Sequence, residues 1–194
     1  VVSNHSKDIF EASRHEYKHP HTQEDLTLKL TTPVEVVNYP VRHFEPEDIP
    51  GLNLDCKFNF LTVAQWSPRK NLENTIRWFV EEFIDQKIGM IVKTSIATNS
   101  ITDRNYTEAR IGALLSEYPD RKCKVYLLHG DMSNEQMTSL YQNERVKALV
   151  NTAHGEGYGL PIFEAAYNGL PVVSVGWSGQ LDFLTHNNKK LFAE

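Results

Sequence analysis

The hydrophobic and polar positions of residues 58–175 follow two alternating patterns. Short apolar runs with β-branched residues have the length of buried strands. The segments between them repeat apolar residues every three or four positions, as helices do. The patterns predict strands at 58–64, 88–94, 124–129, 147–151 and 171–175, and helices at 71–84, 107–118, 133–142 and 161–168. Strands that alternate with helices favour parallel βαβ units, so we expect an α/β fold with a doubly wound parallel sheet.

Three of these helices begin with residues that are typical of helix starts. Asn71 is a predicted N-cap, because its side-chain oxygen can accept a backbone N–H of the first turn. Ser133, followed three residues later by Gln136, fits a capping box. Pro161 fits the first helical position, where the missing N–H of proline has no cost.

The N-terminal part of the chain lacks this regular alternation. The segment 3–12 predicts a short helix with Ile9 and Phe10 on its buried side, and 34–40 predicts a strand that ends at a proline. Between them, 15–32 is polar and is typical of a solvated connector. Its three histidines lack the compact spacing of a metal-ligand set, so the connector is favoured over a metal site.

Composition and charge exclude several classes of protein. The 194 residues suffice for one domain with its own core, and the net charge of -5 argues against a general nucleic-acid surface. No apolar run approaches a membrane span, and no signal peptide is visible. The two cysteines form no metal motif or disulfide framework, so a reducing, cytoplasmic setting is expected. Because the chain opens on Val1 instead of Met, we expect a piece of a longer protein.

The segment 147–167 reads as strand, glycine-rich loop and helix, and it carries the candidate chemistry. Its three glycines, at positions 155, 157 and 159, allow positive φ angles and a close approach of the backbone to a ligand. The N–H groups of such a loop, together with the helix dipole, form an anion site that suits phosphate.

Two carboxylates bracket this loop, and they point to a ligand with hydroxyl groups. Glu156 and Glu164 have seven residues between them. Carboxylates accept hydrogen bonds from sugar hydroxyls, so a phosphate cradle between two acids suits a ligand with phosphates in its middle. The alternative is that the loop is only a tight strand-to-helix connection.

This part of the chain resembles a known family. The segment 156–161 (EGYGLP), followed by 164–166 (EAA) and 168–173 (NGLPVV), resembles the donor-site signature of retaining GT-B glycosyltransferases of family 4, also called glycosyltransferase group 1. The resemblance implies a Rossmann-like sheet, the C-terminal nucleotide-sugar domain of a GT-B fold. It assigns 33–194 to this donor domain, without its last helices, and 1–32 to a linker or the end of the N-terminal acceptor domain.

The resemblance also implies roles for individual residues. Glu156 is implied to face the transferred sugar, Lys70 to contact the donor phosphates, and Glu164 to hold the ribose hydroxyls. Glu156 and Lys70 are therefore the expected catalytic residues. The remaining implied donor-binding residues are Gly157, Tyr158, Gly159 and Leu160, which offer backbone N–H groups, together with Gln65, Arg69 and Gly130.

The chain departs from the family pattern at one position of the phosphate site. The family commonly has Gly-Arg where this chain has Ala64-Gln65, so the usual phosphate arginine is missing. Gln65 can still donate a neutral hydrogen bond, and Arg69 or Lys93 would supply the lost charge. On spacing alone, Arg69 and Lys70 also fit a solvated basic pair before a helix.

Two further loops have counterparts in the family. The loop 129–132 corresponds to the region that passes the nucleotide base, although it also fits a plain turn between strand and helix. The loop 177–180 resembles the family's glycine-rich loop beside the donor sugar. Asp182 lies near a position where the family often has a glutamate.

The function implied by this resemblance is hexosyl transfer with retention. The donor is a nucleotide-diphosphate sugar, and the acceptor, a saccharide, lipid or protein, is held by a second domain. The chain has no Asp-x-Asp motif, which agrees with catalysis without a metal, and no cofactor is expected. The resemblance implies polysaccharide biosynthesis, no nucleic-acid partner, and peripheral membrane association of the full-length protein. The fragment alone is expected to be inactive.

Three alternatives stay open. A retaining glycosidase also uses two carboxylates, but here one precedes a helix and the other lies inside it beside a phosphate-like cradle. A non-catalytic nucleotide-sugar binding fragment is favoured by the lack of an acceptor domain. A nucleotide-sugar epimerase with the GT-B fold is the third alternative.

Overall fold

A five-stranded parallel sheet forms the centre of the protein. The computed structural model describes residues 1–186 and 189–190. The strands of the sheet are β3 (Asn59–Val63), β4 (Gly89–Lys93), β5 (Lys124–Leu128), β6 (Val146–Asn151) and β7 (Val172–Ser174). They are arranged in the order β5-β4-β3-β6-β7, and all neighbouring pairs are parallel. The predicted α/β doubly wound sheet is confirmed.

Helices cover both faces of this sheet. They are α2 (Leu72–Glu82), α3 (Ile101–Leu115), α4 (Asn134–Gln142) and α5 (Leu160–Tyr167). One apolar cluster joins the sheet to α2 and α3 through Ile76, Phe79 and Ile111. A second cluster joins it to α4 and α5 through Leu140 and Ile162. The apolar spacing of the helices therefore serves the core, as the pattern predicts.

The strand order fixes where loops can meet. The chain runs from β3 to β4 and β5 on one side, and then returns to place β6 and β7 on the other side of β3. Ligands of such sheets bind at this switch point, beyond the carboxyl ends of the strands. The loops that follow β3 and β6 are therefore neighbours, although they lie far apart in the sequence.

Two of the predicted helix starts differ in the structure. Asn71 makes no side-chain cap; it has a φ of 54° and follows a 3-10 turn, Pro68–Lys70. Its amide instead donates to the carbonyl of Thr152 at 3.3 Å. The helix predicted at 107–118 begins earlier, at Ile101, because Ser100 caps it through the N–H of Asp103.

The start of α4 agrees with the prediction. The capping box of Ser133 and Gln136 is present, with both reciprocal hydrogen bonds.

The N-terminal part differs most from the prediction. Helix α1 (Asn4–Ala12) forms, but Ile9 and Phe10 are 51% and 52% exposed, so the predicted buried side is wrong. The predicted connector contains an exposed antiparallel hairpin of β1 (Arg14–Lys18) and β2 (Asp25–Lys29). The predicted strand at 34–40 is absent: this stretch is coil, in which the N–H of Val37 donates to the carbonyl of Val1 at 2.8 Å.

The last described elements follow β7. They are a short helix α6 (Leu181–Leu184) and a pair of two-residue strands, β8 (Thr185–His186) and β9 (Lys189–Lys190). None of the helices in the described residues is long and apolar enough to cross a membrane. Both cysteines are buried free thiols.

Candidate functional site

The loops after β3 and β6 contact each other at the carboxyl edge of the sheet. The N–H of His154 donates to the carbonyl of Arg69 at 2.9 Å. The Arg69 guanidinium donates to the carbonyl of Gly155 at 2.5 Å. The fold therefore brings the predicted basic pair directly against the predicted glycine-rich loop.

Glu156 is the centre of a buried ion cluster in this region. Its side chain is 7% exposed, and its Oε1 lies 2.5 Å from the Nζ of Lys70, which is 15% exposed. Its Oε2 lies 3.2 Å from the guanidinium of Arg69, which is 57% exposed. The two cations that we predicted to neutralise a diphosphate thus share one carboxylate, and the cluster keeps one net positive charge (2 - 1 = +1).

The backbone of the glycine-rich loop presents donors to the same region. Within the described residues, the N–H groups of Gly157, Tyr158, Gly159 and Leu160 donate to no protein acceptor. Gly159 precedes α5 with a φ of 90°, which only glycine adopts without strain. It alone of the three loop glycines has a positive φ, so the expectation is wrong for the other two. The loop ends in a run of N–H groups at a helix start, an arrangement that suits an anion.

The side chain of Tyr158 has a structural role. It is 5% exposed and packs against the rings of Tyr39, Phe163 and Phe183, with centroid distances of 5.0 to 5.6 Å. Only its backbone remains for a ligand, as the sequence analysis implies.

The loop that follows β7 holds the glycine-rich loop in place through hydrogen bonds to the backbone of Glu156. The hydroxyl of Ser178 accepts the N–H of Glu156 at 2.7 Å and donates to the carbonyl of the same residue at 2.5 Å. The N–H of Gly179 also donates to that carbonyl at 3.0 Å. The sequence analysis identified this loop only by resemblance and did not predict its contacts with Glu156. The adjacent Ser178 and Gly179 were the available signal for these contacts.

The two glutamates line different cavities. Glu156 lines a cavity of about 410 Å³ between the glycine-rich loop and α1. Glu164 lines a smaller cavity of about 220 Å³ between α4 and α5, which the coil containing Tyr39 and Phe44 closes. The glycine-rich loop contributes Gly157 to the first cavity and Leu160 to the second, so its backbone connects the two.

Among the described residues, the Glu164 carboxylate has one hydrogen-bond partner. It accepts a hydrogen bond from the hydroxyl of Tyr141 at 3.0 Å. Burial raises the pKa of the Glu164 carboxyl, and the Tyr141 hydroxyl only partly opposes this effect. Burial next to this carboxylate also raises the pKa of Tyr141. Unlike Glu156, Glu164 has no cation within salt-bridge distance in the described residues.

We expect Glu164→Gln to increase stability at neutral pH. A carboxyl whose pKa is raised in the folded protein disfavours folding once it ionises, so stability falls as pH rises through the folded-state pKa. The glutamine retains the contact with Tyr141 without the charge. In urea unfolding at pH 7, the variant should have a larger free energy of unfolding than the original protein. The difference should vanish below about pH 4.3, the ordinary pKa of glutamate. A variant less stable than the original at pH 7 would contradict this reading.

The other predicted donor residues lie at the same edge of the sheet but outside the ion cluster. Gln65 is exposed, and its amide donates to the carbonyl of Ile96 at 3.0 Å. The carbonyl of Gly130 accepts from the Nζ of Lys93 at 2.5 Å. Burial lowers the pKa of Lys93. Lys93 therefore stabilises the turn after β5, and in this structure its ammonium bonds to that turn.

A buried acid–histidine pair, which the sequence analysis missed, supports two of these loops. Asp103 accepts the N–H groups of Ile96, Ala97 and Thr98 at 2.7 to 3.0 Å and contacts the ring of His129 at 2.9 Å. These donors hold the pKa of Asp103 well below its usual range. The pair ties the loop after β4 to the end of β5.

Asp182 also has a role that the resemblance did not indicate. Its Oδ2 accepts the backbone N–H of Asn4 at 2.9 Å and the amide of Asn38 at 3.3 Å. It therefore attaches the N-terminal segment to the short helix α6, which contains Asp182. Within residues 1–186 and 189–190, no three His, Cys, Asp or Glu side chains are grouped closely enough to hold a metal ion.

Comparison with known proteins identifies similar sequences of glycosyltransferases. The chain is 30% identical over 118 residues to the serotype-specific mannosyltransferase WbdA of Escherichia coli. This match covers 59% of the chain but only 13% of WbdA, so the chain spans about an eighth of the length of that relative. A scan of known protein families finds no match.

Solved glycosyltransferase structures are more distant. A TarM structure from S. aureus, in complex with Fondaparinux, alpha-GlcNAc-glycerol and UDP, is 18% identical, with a TM-score of 0.49 over 81% of this chain and 29% of TarM. The C-terminal domain of a glycosyl transferase group 1 family protein, LpcC, from Francisella tularensis is 15% identical, with a TM-score of 0.48 over 68% of this chain and 64% of that domain.

Proposed function

We propose that this chain binds a nucleotide-diphosphate sugar and forms the donor half of a retaining glycosyltransferase. One observation carries the proposal: at the switch point of the sheet, Lys70 and Arg69 pair with Glu156 of the glycine-rich loop. This loop borders two cavities that each contain a glutamate. The similarity to a mannosyltransferase supports the same reading.

The middle of the site suits a diphosphate. The N–H groups of residues 157–160 form the neutral part of the cradle, and the ion cluster adds one net positive charge. A diphosphate brings more negative charge than Glu156 can balance, so it would share Lys70 with that carboxylate. Arg69 is more than half exposed and can turn towards a phosphate at little cost.

The two cavities suit the two ends of such a donor. The Glu164 compartment has aromatic walls, among them Tyr39 and Phe163, which suit the planar base of a nucleoside. Its carboxylate would accept the ribose hydroxyls. The larger compartment, with Glu156, would take the hexose. Because the relative is a mannosyltransferase, mannose is the first sugar to test.

The chemistry follows from this placement. As the glycosidic bond breaks, negative charge develops on the departing diphosphate. The loop N–H groups and Lys70 are already fixed in position, so they stabilise that charge without a large reorganisation. Glu156 would act beside the transferred sugar and would be needed for turnover more than for binding. An acceptor saccharide, lipid or protein would come from a second domain.

We expect a nucleoside diphosphate to stabilise this chain against thermal unfolding. At about 100 times its dissociation constant, a ligand adds roughly 2.7 kcal/mol, which for a chain of this size raises Tm by several degrees. GDP, UDP and ADP should be compared with their nucleosides, which lack phosphates. Lys70→Met should weaken the response to the preferred diphosphate. If no diphosphate at millimolar concentration shifts Tm, the donor-site proposal fails.

A further inference from the structure

Two residues beside the ion pair of Lys70 and Glu156 have a backbone conformation that side chains with a Cβ rarely adopt. Among the residues that the structure describes, three residues other than glycine have a positive φ: Gln23 at 59°, Asn71 at 54° and Ser178 at 85°. Asparagine tolerates this conformation better than serine does. Gln23 connects the two strands of the exposed hairpin, whereas Asn71 directly follows Lys70 and Ser178 contacts Glu156. Backbone outliers of this kind often lie at functional sites.

Ser178 bonds to both polar groups of the Glu156 backbone. Its hydroxyl accepts the N–H at 2.7 Å and donates to the carbonyl at 2.5 Å. Its side chain makes no other hydrogen bond among the described residues, and the residue is 5% exposed. Glycine would adopt a φ of 85° without strain, but it could make neither contact. The hydroxyl therefore accounts for a serine at this position, and it fixes the backbone from which the Glu156 carboxylate extends.

Asn71 holds the other member of the ion pair. Its positive φ ends the 3-10 turn that carries Lys70 and directs the chain into α2. The side chain of Asn71 is buried, and its amide donates to the carbonyl of Thr152 in the loop that leads to Glu156. The backbone next to Lys70 is thereby attached to the loop that carries its partner.

A buried ion pair depends on such support. The attraction between two desolvated charges offsets the cost of removing them from water only when their geometry is good. Lysine carries its charge on a flexible four-carbon side chain, so a fixed backbone on both sides limits the arrangements that the pair can adopt. A cation that is already in position also stabilises the charge on a departing group without reorganisation.

We propose that Asn71 and Ser178 are positioning residues that hold Lys70 and Glu156 in one fixed arrangement, ready for a diphosphate. Asn71 acts through Lys70, and Ser178 acts through Glu156. The inference rests on the proposed function for the ligand, but the geometry of the ion pair can be tested without one. Glycine is the informative replacement for both residues, because it adopts a positive φ freely and removes only the side-chain contacts. Gln23→Gly makes the same change in the exposed hairpin and is the matched control.

Double-mutant cycles measure the positioning in the absence of ligand. Urea unfolding of Lys70→Met, Glu156→Gln and the double variant gives the coupling free energy of the ion pair. This coupling should fall by about half or more in the Asn71→Gly and Ser178→Gly backgrounds, and it should stay unchanged in Gln23→Gly. A purely structural role would lower the stability of a background without changing the coupling, so equal coupling in all backgrounds overturns the inference. If Ser178→Gly does not fold, Asn71→Gly gives the same decision.

Diphosphate titration shows whether this positioning serves the donor site. The probe is whichever of GDP, UDP and ADP the original protein binds most tightly by calorimetry. Its dissociation constant should rise about tenfold or more in Asn71→Gly and Ser178→Gly, and by less than about twofold in Gln23→Gly. Reduced coupling with unchanged affinity would overturn the assigned role in the donor site.

The two measurements also separate this inference from the proposed function. If the original protein binds no diphosphate, the proposed function fails. Reduced coupling in Asn71→Gly and Ser178→Gly would then still support the positioning of the ion pair, and unchanged coupling would overturn it.

Discussion

Gly179→Ala is expected to disrupt the glycine-rich loop and to destabilise the whole domain. An alanine Cβ at this position would lie 2.0 Å from the carbonyl oxygen of Gly157 and 2.9 Å from that of Glu156. Both obstacles are backbone atoms, so the loop itself must move. The shift would break the hydrogen bond from Gly179 to Glu156 and displace the N–H groups of the anion site. We expect a loss of about 3 kcal/mol in the free energy of unfolding and loss of diphosphate binding.

The loop after β7, which contains Gly179, also contains a matched control. Gly176 has open space where a Cβ would be added and does not have a positive φ, so Gly176→Ala should change stability by less than about 0.5 kcal/mol. Urea unfolding of both variants, followed by calorimetric titration with the preferred diphosphate, would measure the difference. Equal midpoints for the two variants would show that the close approach of the two loops does not exist in solution.

Glu156→Gln is expected to have opposite effects on stability and on diphosphate binding. Removal of the negative charge leaves Lys70 buried with only a neutral acceptor, and Arg69 loses its charged partner while it keeps the carbonyl of Gly155. Breaking a buried ion pair in this way costs about 3 kcal/mol, at the low end of the usual range because Arg69 is 57% exposed. A bound diphosphate replaces the missing anion, so its affinity should be kept or increased. The thermal shift caused by the diphosphate should therefore be at least as large in the variant as in the original protein.

Glu164→Gln is the matched control for this experiment, since it removes a carboxylate that has no cation partner among the described residues. It should not reduce stability, but it should weaken diphosphate binding by about tenfold or more, because a hydrogen bond from a ribose hydroxyl to a charged group is lost. In a longer protein that carries the proposed acceptor domain, we expect Glu156→Gln to lower glycosyl transfer strongly. If Glu156→Gln loses diphosphate affinity as severely as Glu164→Gln, while both stay folded, the assigned roles are wrong.

The regular elements of residues 58–175 could be predicted from the sequence because their signals are local. Apolar runs of strand length and helical repeats lie within single segments, and the capping box of Ser133 and Gln136 spans three residues. The strand, glycine-rich loop and helix that end at Tyr167 are likewise contiguous. The hairpin 14–29 was not predicted because its strands are polar and have no buried face. The cap at Asn71 was wrong because its side chain instead donates to the carbonyl of Thr152, 81 residues away.

The arrangement of the site was decided by the tertiary structure. Lys70 and Glu156 are 86 residues apart and meet only because the strand order places β6 beside β3. No local pattern reveals that Lys70 is paired with Glu156, that the hydroxyl of Ser178 holds the backbone of Glu156, or that α1 lies beside the cavity that Glu156 lines. The sequence determines which residue types occur and how far apart they are in the chain. Whether a charge in one loop meets its partner in another depends on which strands are neighbours, and the packing of the whole core decides that order.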